Sequence, residues 1–249
     1  MSATAPLHSM RVASRVLQIL LASVGGLALI VDTLGYWWLR SGTFVLHVSD
    51  PDRAGRQVSF WTGTRIDSAV PVFLWLPSLL SWAVIVLWLI WQHGSTANLW
   101  ARGYRDLKIR PGWAVGWWFI PFANYVMPLV AMLELDRRST PDGVPRKASP
   151  LLGWWWAAWL ASSTVPAIGA VNSVISAVME LSDRPRGSNV FDFTTAAHEL
   201  ALWLLLAGVL QAIAAGLAIA VVRRIDDGQA SLFGVGDAPP RPDAIPGVA

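Results

Sequence analysis

The chain has 249 residues, of which 54% are hydrophobic and 14% are charged, and its mean hydropathy is +0.47. Because soluble domains carry roughly a quarter charged residues, this composition excludes an ordinary soluble protein and predicts a multi-pass protein of the plasma membrane. The absence of cysteine excludes disulfides, thiolate metal sites and cysteine nucleophiles. The pI is about 9.8, but the basic residues lie in short loops beside apolar runs, so we expect lipid headgroups and not nucleic acid as their partners.

Four long apolar runs predict membrane-crossing helices, at residues 16–39, 71–92, 151–178 and 196–222. Each run is long enough to cross a hydrocarbon core of about 30 Å at about 1.5 Å per residue. Tryptophans gather near the ends of the runs, as they do in the aromatic belts of membrane proteins. We therefore predict an all-α helix bundle over residues 16–227. It lies between a cytoplasmic N-terminal segment, 1–15, and a disordered cytoplasmic tail, 228–249.

A polar outer loop, residues 40–70, follows the first run. Its Phe44-Val45-Leu46 sequence is compatible with a short strand, but so short a segment predicts no domain of its own.

The last run carries small residues at four-residue spacing: Gly208, Ala212, Gly216 and Ala220. Small residues on one helical stripe let helix backbones approach closely in a membrane. We expect this stripe to pack inside the bundle, and a homodimer face is the alternative.

The most unusual segment runs from Pro111 to Pro128 and reads PGWAVGWWFIPFANYVMP. It is apolar enough for a bilayer, but glycine, proline and asparagine interrupt it throughout. Proline removes a backbone donor and clashes with the preceding helical turn, and in hydrocarbon every freed backbone group needs an internal partner. We predict a re-entrant element that is helical in pieces, broken near Pro121 to Asn124 and buried against the bundle.

The distribution of lysine and arginine predicts the topology. If residues 111–133 do not cross and both termini are cytoplasmic, thirteen of the nineteen basic residues lie inside. If that segment crosses, either eight or eleven lie inside, depending on the orientation. The positive-inside rule therefore favours four spans and two cytoplasmic termini.

The inner region, residues 94–138, begins with an amphipathic stretch, 95–110, that predicts a short helix, either free or extending the second span. Its basic side chains are candidates for binding anionic lipid, and simple solvation is the alternative. They are Arg102, Arg105 and Lys108.

The central run, together with Asn98-Leu99 before it, Glu134-Leu135 after it and the helix that opens at Trp154-Trp155-Trp156, resembles a bacterial family. The family is the membrane proteins grouped as domain of unknown function 4328. The resemblance covers roughly residues 72–222, and it implies a membrane fold and no established reaction.

Polar residues at similar predicted depth in all four spans form a candidate outer cluster: Asp32, Tyr36, Ser78, Asn172, His198 and Glu199. Intramembrane acids usually face the interior or a wet cavity, so an outward-facing polar pocket is one hypothesis. The alternative is a set of satisfied hydrogen bonds and ordinary interfacial residues.

A second candidate site surrounds the broken segment: Asn98, Pro121, Asn124, Pro128 and Glu134. We expect the Asn124 amide to satisfy backbone groups that the prolines free, and replacement by leucine to destabilise the fold. Glu134 and Arg138 have the spacing of a helical ion pair.

Three classes of function stay open. We expect a non-catalytic interaction or envelope-associated module without metal or cofactor, because no catalytic motif appears and the histidines cannot pair across the membrane. A small transporter or channel would use the broken segment and Asp32. A lipid-acting membrane enzyme would depend on His198, Glu199 and Asp32 for acid–base chemistry.

Overall fold

The structure is a computed structural model, and it describes the backbone of residues 4–42, 44–48, 58–62, 70–102, 104, 107–140, 144–182 and 190–234. Side chains are described over residues 11–42, 79–102, 104, 107–140, 144–182 and 192–231.

Within these residues the chain forms six α-helices. They are α1 (Thr4–Ser41), α2 (Val70–Ala101), α3 (Pro111–Gly116), α4 (Met127–Arg138), α5 (Pro150–Ser182) and α6 (Thr194–Gly234). In this described part, α1, α2, α5 and α6 are long and apolar enough to cross a membrane, and α3 and α4 form a bent pair. The predicted fold class, an all-α bundle of four spanning helices with a broken element, is confirmed.

The helices extend beyond the apolar runs at both ends. Helix α6 continues through Gly234, so the prediction of disorder is wrong for residues 228–234, and residues 235–249 lie outside the described part. The reason is packing, because Gly228 and Gln229 are buried. Such burial outweighs the weak helix propensity of a glycine-containing stretch.

Helix α2 includes only the first part of the predicted amphipathic helix and ends at Ala101. The described residues from Arg102 to Arg110 are not helical, so the prediction of a helix over 95–110 is wrong in its second half. Arg110 is extended because it precedes Pro111, which disfavours a helical residue before it. Arg105 lies outside the described residues.

A small antiparallel sheet forms between the predicted outer loop, residues 40–70, and the segment just before α6. Strand β1 (Phe44–Val48) pairs with β2 (Val58–Thr62) and with β3 (Val190–Asp192), which immediately precedes α6. The described strands are rich in β-branched and aromatic residues, which favour such pairing. The rest of the 40–70 loop lies outside the described residues, apart from the ends of α1 and α2.

The chain divides into two compact units. The first unit contains residues 1–21, 82–156 and 217–249, and the second contains residues 22–81 and 157–216. Helices α1, α2, α5 and α6 contribute residues to both units, whereas residues 111–138 belong entirely to the first.

Tryptophans build much of the core of the first unit. Trp91 is fully buried, and the Trp88 ring stacks on Trp155 with 5.0 Å between centroids. Trp155 in turn contacts Trp156, with 5.4 Å between the ring centroids. These rings join α2 to the start of α5, so part of the tryptophan content is core and not interfacial belt.

In the second unit, α1 and α6 pack closely and antiparallel. A Cβ atom added at Gly208 would stand 2.8 Å from Asp32, and one added at Gly25 would stand 2.8 Å from Ala215 and 3.5 Å from Ala212. The predicted packing of the small-residue stripe inside the bundle is therefore confirmed for Gly208 and Ala212.

The rest of the stripe is less closely packed. Gly216 is exposed, with open space where a Cβ would lie, and Ala220 is half-buried. A homodimer face at this end of the stripe stays a prediction.

Candidate functional site

The broken element, residues 111–138, reverses direction in the middle. Helix α3 leads into a 3₁₀ turn at Trp117–Phe119, a second 3₁₀ turn covers Ala123–Tyr125, and the axes of its two arms differ by 114°. Between the turns Phe122 has φ = 64°, the one non-glycine residue with positive φ in the described part of the chain. The prediction of a segment that is helical in pieces and broken near Pro121 to Asn124 is confirmed.

The turn of the broken element carries an exposed apolar tip, which we define as Phe119, Ile120, Phe122, Tyr125 and Val126. The Phe122 side chain is 87% exposed and that of Phe119 is 71% exposed. The prediction that the element is buried against the bundle is therefore wrong for the tip. An apolar side chain that faces lipid has no unfavourable hydration free energy, so the fold does not require the helix bundle to bury it.

The arms of the broken element have a buried face of their own. Ile109, Ala114 and Ala131 form a small core, against which Trp117 and Met127 pack. This face is buried between the two arms themselves, so burial of the element against the long helices stays a prediction for these residues.

Glu134 fastens the two arms together. Its carboxylate accepts hydrogen bonds from the backbone N–H of Lys108 at 2.8 Å and of Ile109 at 3.2 Å. The predicted Glu134–Arg138 pair is not formed, and the Arg138 guanidinium lies 5.9 Å from the centroid of the Tyr104 ring. Two backbone donors just before α3 are otherwise left without helical acceptors, which explains why they take the carboxylate.

Asn124 does not have the predicted role. Its side-chain oxygen is buried without a hydrogen-bond partner among the described residues, and only its backbone N–H bonds, to Ile120. Instead, the Trp156 indole donates to the Tyr125 carbonyl at 3.1 Å. An indole N–H from α5 thus satisfies one carbonyl of the break, a role that the local sequence does not reveal.

The remaining residues of the second candidate site do not converge. Pro128 is buried, Pro121 is exposed, and the buried Asn98 amide nitrogen has no partner in the described part. Beside Glu134 is a cleft, also lined by Thr96, with a free volume of about 10 Å³. That is room for about one water molecule.

The strongest electrostatic feature is a cluster that the sequence analysis missed, which we call the Asp136 clamp: Asp136, Arg146, Ser149 and Arg224. Asp136 is fully buried, and its Oδ1 accepts from Arg146 Nη2 at 2.7 Å and from Arg224 Nε at 2.8 Å. Its Oδ2 accepts from the Ser149 backbone N–H at 2.9 Å, at the start of α5. The clamp therefore joins α4, α5 and α6.

A close backbone contact lies beside the clamp. A Cβ at Gly228 would stand 2.2 Å from the Ser139 carbonyl oxygen, so only glycine allows α6 to approach this near. Next to it, Gln229 Nε2 donates to the Ser95 carbonyl at 3.0 Å. The end of α6 is thus fixed to both α2 and the segment after α4.

A second acid, the half-buried Asp226, joins three helices in the first unit. It accepts hydrogen bonds from Ser14 on α1 and from the Trp91 indole on α2, the latter at 2.9 Å. Gln92, the next residue on α2, accepts from the Trp118 indole of the broken element at 2.8 Å. Sequence analysis missed these bonds because their partners lie far apart in the chain.

The outer candidate residues are only partly brought together. Glu199 accepts a hydrogen bond from Ser176 at 2.6 Å, and Asp32 lies against Gly208 without a hydrogen bond to any described residue. Tyr36 packs against the small core around Leu39. The other three are placed as follows: Asn172 is exposed, His198 Nε2 is buried without a described partner, and the Ser78 side chain lies outside the described residues.

The described residues contain no group of three or more histidine or acidic side chains arranged for a metal ion. The expectation of no metal or cofactor stays a prediction. What the arrangement offers chemically is cationic hydrogen-bond donors at the Asp136 clamp and an apolar tip on the broken element.

Four apolar helices and a bent helix pair define an integral membrane helix bundle. A family model described as Domain of unknown function (DUF4328) matches residues 54–227, more than two thirds of the chain, and the chain belongs to this family. The family resemblance carried by the central run is confirmed. No curated protein and no solved structure gives a significant match.

Proposed function

We propose that this protein is a non-catalytic interaction module of the plasma membrane. Both termini are cytoplasmic, the broken element enters the cytoplasmic leaflet, and its apolar tip binds a partner that is itself embedded in that leaflet. The observation that carries the proposal is the broken element itself, which has an exposed apolar tip and lies wholly within one unit.

The division of the chain supports this topology. Each of the four long helices is long and apolar enough to cross a membrane, whereas residues 111–138 are a bent pair that lies within a single compact unit. The ranges of the first unit include both termini and thirteen of the nineteen lysine and arginine residues. By the positive-inside rule that unit belongs on the cytoplasmic side.

The dimensions of the broken element also favour a re-entrant course. Residues 111–119 rise about 13 Å and the twelve residues of α4 about 18 Å at 1.5 Å per residue. With a bend of 114° between the arms, the second arm runs partly back along the first. The net depth falls well short of a hydrocarbon core of about 30 Å.

The absence of a catalytic role is supported by the contacts of three acids in the first unit. Glu134, Asp136 and Asp226 each accept hydrogen bonds that join separate segments of the chain. Groups held in this way stabilise a structure, whereas a general acid or base needs access to a substrate.

Single-cysteine labelling tests the topology, and the chain has no native cysteine to remove. We expect Arg110→Cys and Lys147→Cys to react with a membrane-impermeant maleimide only from the cytoplasmic side, and Phe122→Cys to be protected from both sides. Labelling of positions 110 and 147 from opposite faces would show that the element crosses. Ser59→Cys, in the outer loop, serves as the control for the opposite side.

Partner binding is tested by cross-linking in cells followed by purification in a mild detergent. We expect a stoichiometric protein partner that is lost when Phe119→Ser and Phe122→Ser remove the apolar tip. The matched control is Trp154→Ser, which removes an aromatic side chain that is 70% exposed outside the tip. Recovery of the chain alone under all cross-linking conditions would count against an interaction module.

A transporter or channel is the second candidate, and Asp32 is the observation that favours it. This carboxylate lies on a predicted span without a hydrogen bond to any described residue. Intramembrane acids of that kind often mark ion pathways. Ion flux in proteoliposomes that disappears in Asp32→Asn, and persists in the exposed control Asp227→Asn, would establish transport and replace the module proposal.

A further inference from the structure

We propose that the two arginines of the Asp136 clamp bind a phosphate group. The candidate ligand is the headgroup of an anionic phospholipid or a soluble phosphate ester. The inference depends on the proposed function only for the leaflet in which a lipid would lie.

The clamp carries an excess of positive charge. Arg146 and Arg224 both donate to the same oxygen of Asp136, and the second oxygen is taken by the Ser149 backbone N–H. One carboxylate therefore faces two guanidinium groups, which leaves one positive charge in excess at a site where the acid is fully buried. A partly buried excess charge is costly without a counter-ion.

The two arginines of the clamp also have unused hydrogen-bond donors. Each guanidinium has five N–H donors, and the clamp uses one nitrogen of each. Arg146 Nε is buried without a partner in the described part of the chain. The side chains are 30% and 34% exposed, so both remain open to a ligand from outside.

The position of the two arginines also suits an anion. Two donor nitrogens that lie 2.7 and 2.8 Å from the same carboxylate oxygen bring the two guanidinium groups close together at one site. Paired planar forks match the tetrahedral oxygens of phosphate, which arginine binds in a bidentate manner. Lysine or a single arginine would neutralise Asp136 equally well, so the pairing suits an added anion.

The surroundings strengthen the positive field. Arg137 and Lys147 are exposed and make no ion pair with any described residue, and the Arg146 backbone N–H bonds to the Arg137 carbonyl at 3.0 Å. The nearest acids on α6 offset this field only in part. The Asp226 carboxylate accepts hydrogen bonds from Ser14 and Trp91. Asp227 is exposed and makes no ion pair in the described part.

The test measures anion-dependent stability and binding in the full chain. Thermal unfolding is followed by tryptophan fluorescence, first in nanodiscs of phosphatidylcholine with and without phosphatidylglycerol. It is then repeated in neutral detergent with glycerol 3-phosphate or sodium chloride at equal ionic strength. Native mass spectrometry counts the lipids that remain bound.

The variants are Arg224→Gln and Arg146→Gln, each of which leaves Asp136 with one arginine and a balanced charge, so we expect them to fold. Arg137→Gln is the matched control.

We expect the wild type and Arg137→Gln to be stabilised by one phosphate source, and both clamp variants to bind it at least tenfold more weakly. Stabilisation by phosphatidylglycerol but not by glycerol 3-phosphate identifies a lipid headgroup, and the reverse identifies a soluble ester. No phosphate effect in the wild type, or an equal effect in the wild type and both clamp variants, would overturn the proposal. If a clamp variant does not fold, Arg224→Lys replaces it, because this variant keeps the positive charge and loses the planar guanidinium group. Fewer bound lipids or weaker phosphate-ester binding than in the wild type then supports the proposal, and equal binding contradicts it. The labelling experiment for topology has an independent outcome, so either proposal can fail alone.

Discussion

Replacing Asp136 by asparagine should destabilise the first unit more than any other single neutralisation of an acid there. The carboxylate is fully buried and accepts three hydrogen bonds, at 2.7, 2.8 and 2.9 Å, from groups on or beside α5 and α6. Asparagine keeps one acceptor oxygen and adds a donor that faces two cations. At least one bond is lost, and both arginines lose their counter-charge.

The size of the effect follows from the exposure of the partners. Removing one member of a fully buried ion pair costs about 3–5 kcal/mol. Here the arginine side chains are 30% and 34% exposed, so water recovers part of their solvation, and we expect about 2–3 kcal/mol. For a chain of this size, a shift of about 2–4 °C per kcal/mol gives an unfolding midpoint lower by about 5–10 °C.

The assay is fluorescence-detected thermal unfolding of purified protein in neutral detergent, for which the sixteen tryptophans give a strong signal. Asp227→Asn is the control, because this acid is exposed and makes no ion pair with described residues. Adding Arg224→Gln to Asp136→Asn should restore part of the stability by removing one uncompensated charge. An unchanged midpoint in Asp136→Asn, or a further loss in the double variant, would refute the electrostatic account of the clamp.

Three further substitutions test packing and hydrogen bonding by the same assay. Gly228→Ala should lose about 1–3 kcal/mol, because the new methyl group would stand 2.2 Å from a backbone carbonyl oxygen. Gly216→Ala, with open space at the same position, should be neutral or stabilising. Trp156→Phe should cost about 1–3 kcal/mol by freeing a carbonyl of the broken element. Trp154→Phe, at an exposed position, should not. Asn124→Leu should be tolerated, since its side chain makes no described hydrogen bond, and a large loss would restore the role first assigned to it.

The spans and the break could be predicted because both depend on local chemistry. An apolar run of more than twenty residues has few alternatives to a membrane helix. Pro166 lies inside α5, so a single proline does not end a helix, and the break was predictable because glycine, proline and asparagine recur together through residues 111–128. The four long helices and the turn at Phe122 therefore agree with the sequence pattern in type and approximate position.

The polar partners could not be predicted, because they depend on which helices become neighbours. Asp136 and Arg224 are separated by 88 residues, and nothing in either local sequence indicates the pair. Arg138, one helical turn from Glu134, was its predicted partner. The Glu134 carboxylate instead accepts hydrogen bonds from the backbone N–H groups of Lys108 and Ile109, which lie in a distant segment. Asn124 was predicted to bond free backbone groups at the break because its amide can both donate and accept. The hydrogen bond to the Tyr125 carbonyl comes instead from the Trp156 indole on α5.

The broken element and the Asp136 clamp share one short helix, and this connects the two proposals. Helix α4 begins at Met127, beside the break, and carries Asp136 nine residues later, about 14 Å along the axis. Glu134 on the same helix fastens the other arm of the element. A ligand that binds Arg146 and Arg224 would change the charge balance around Asp136. It would thereby alter the ion pairs that fix the end of α4. Because α4 begins directly after the apolar tip, a displacement of this helix would also displace the tip. A phosphate group at the clamp and a partner at the tip would then influence each other's affinity by the same factor, as thermodynamic linkage requires.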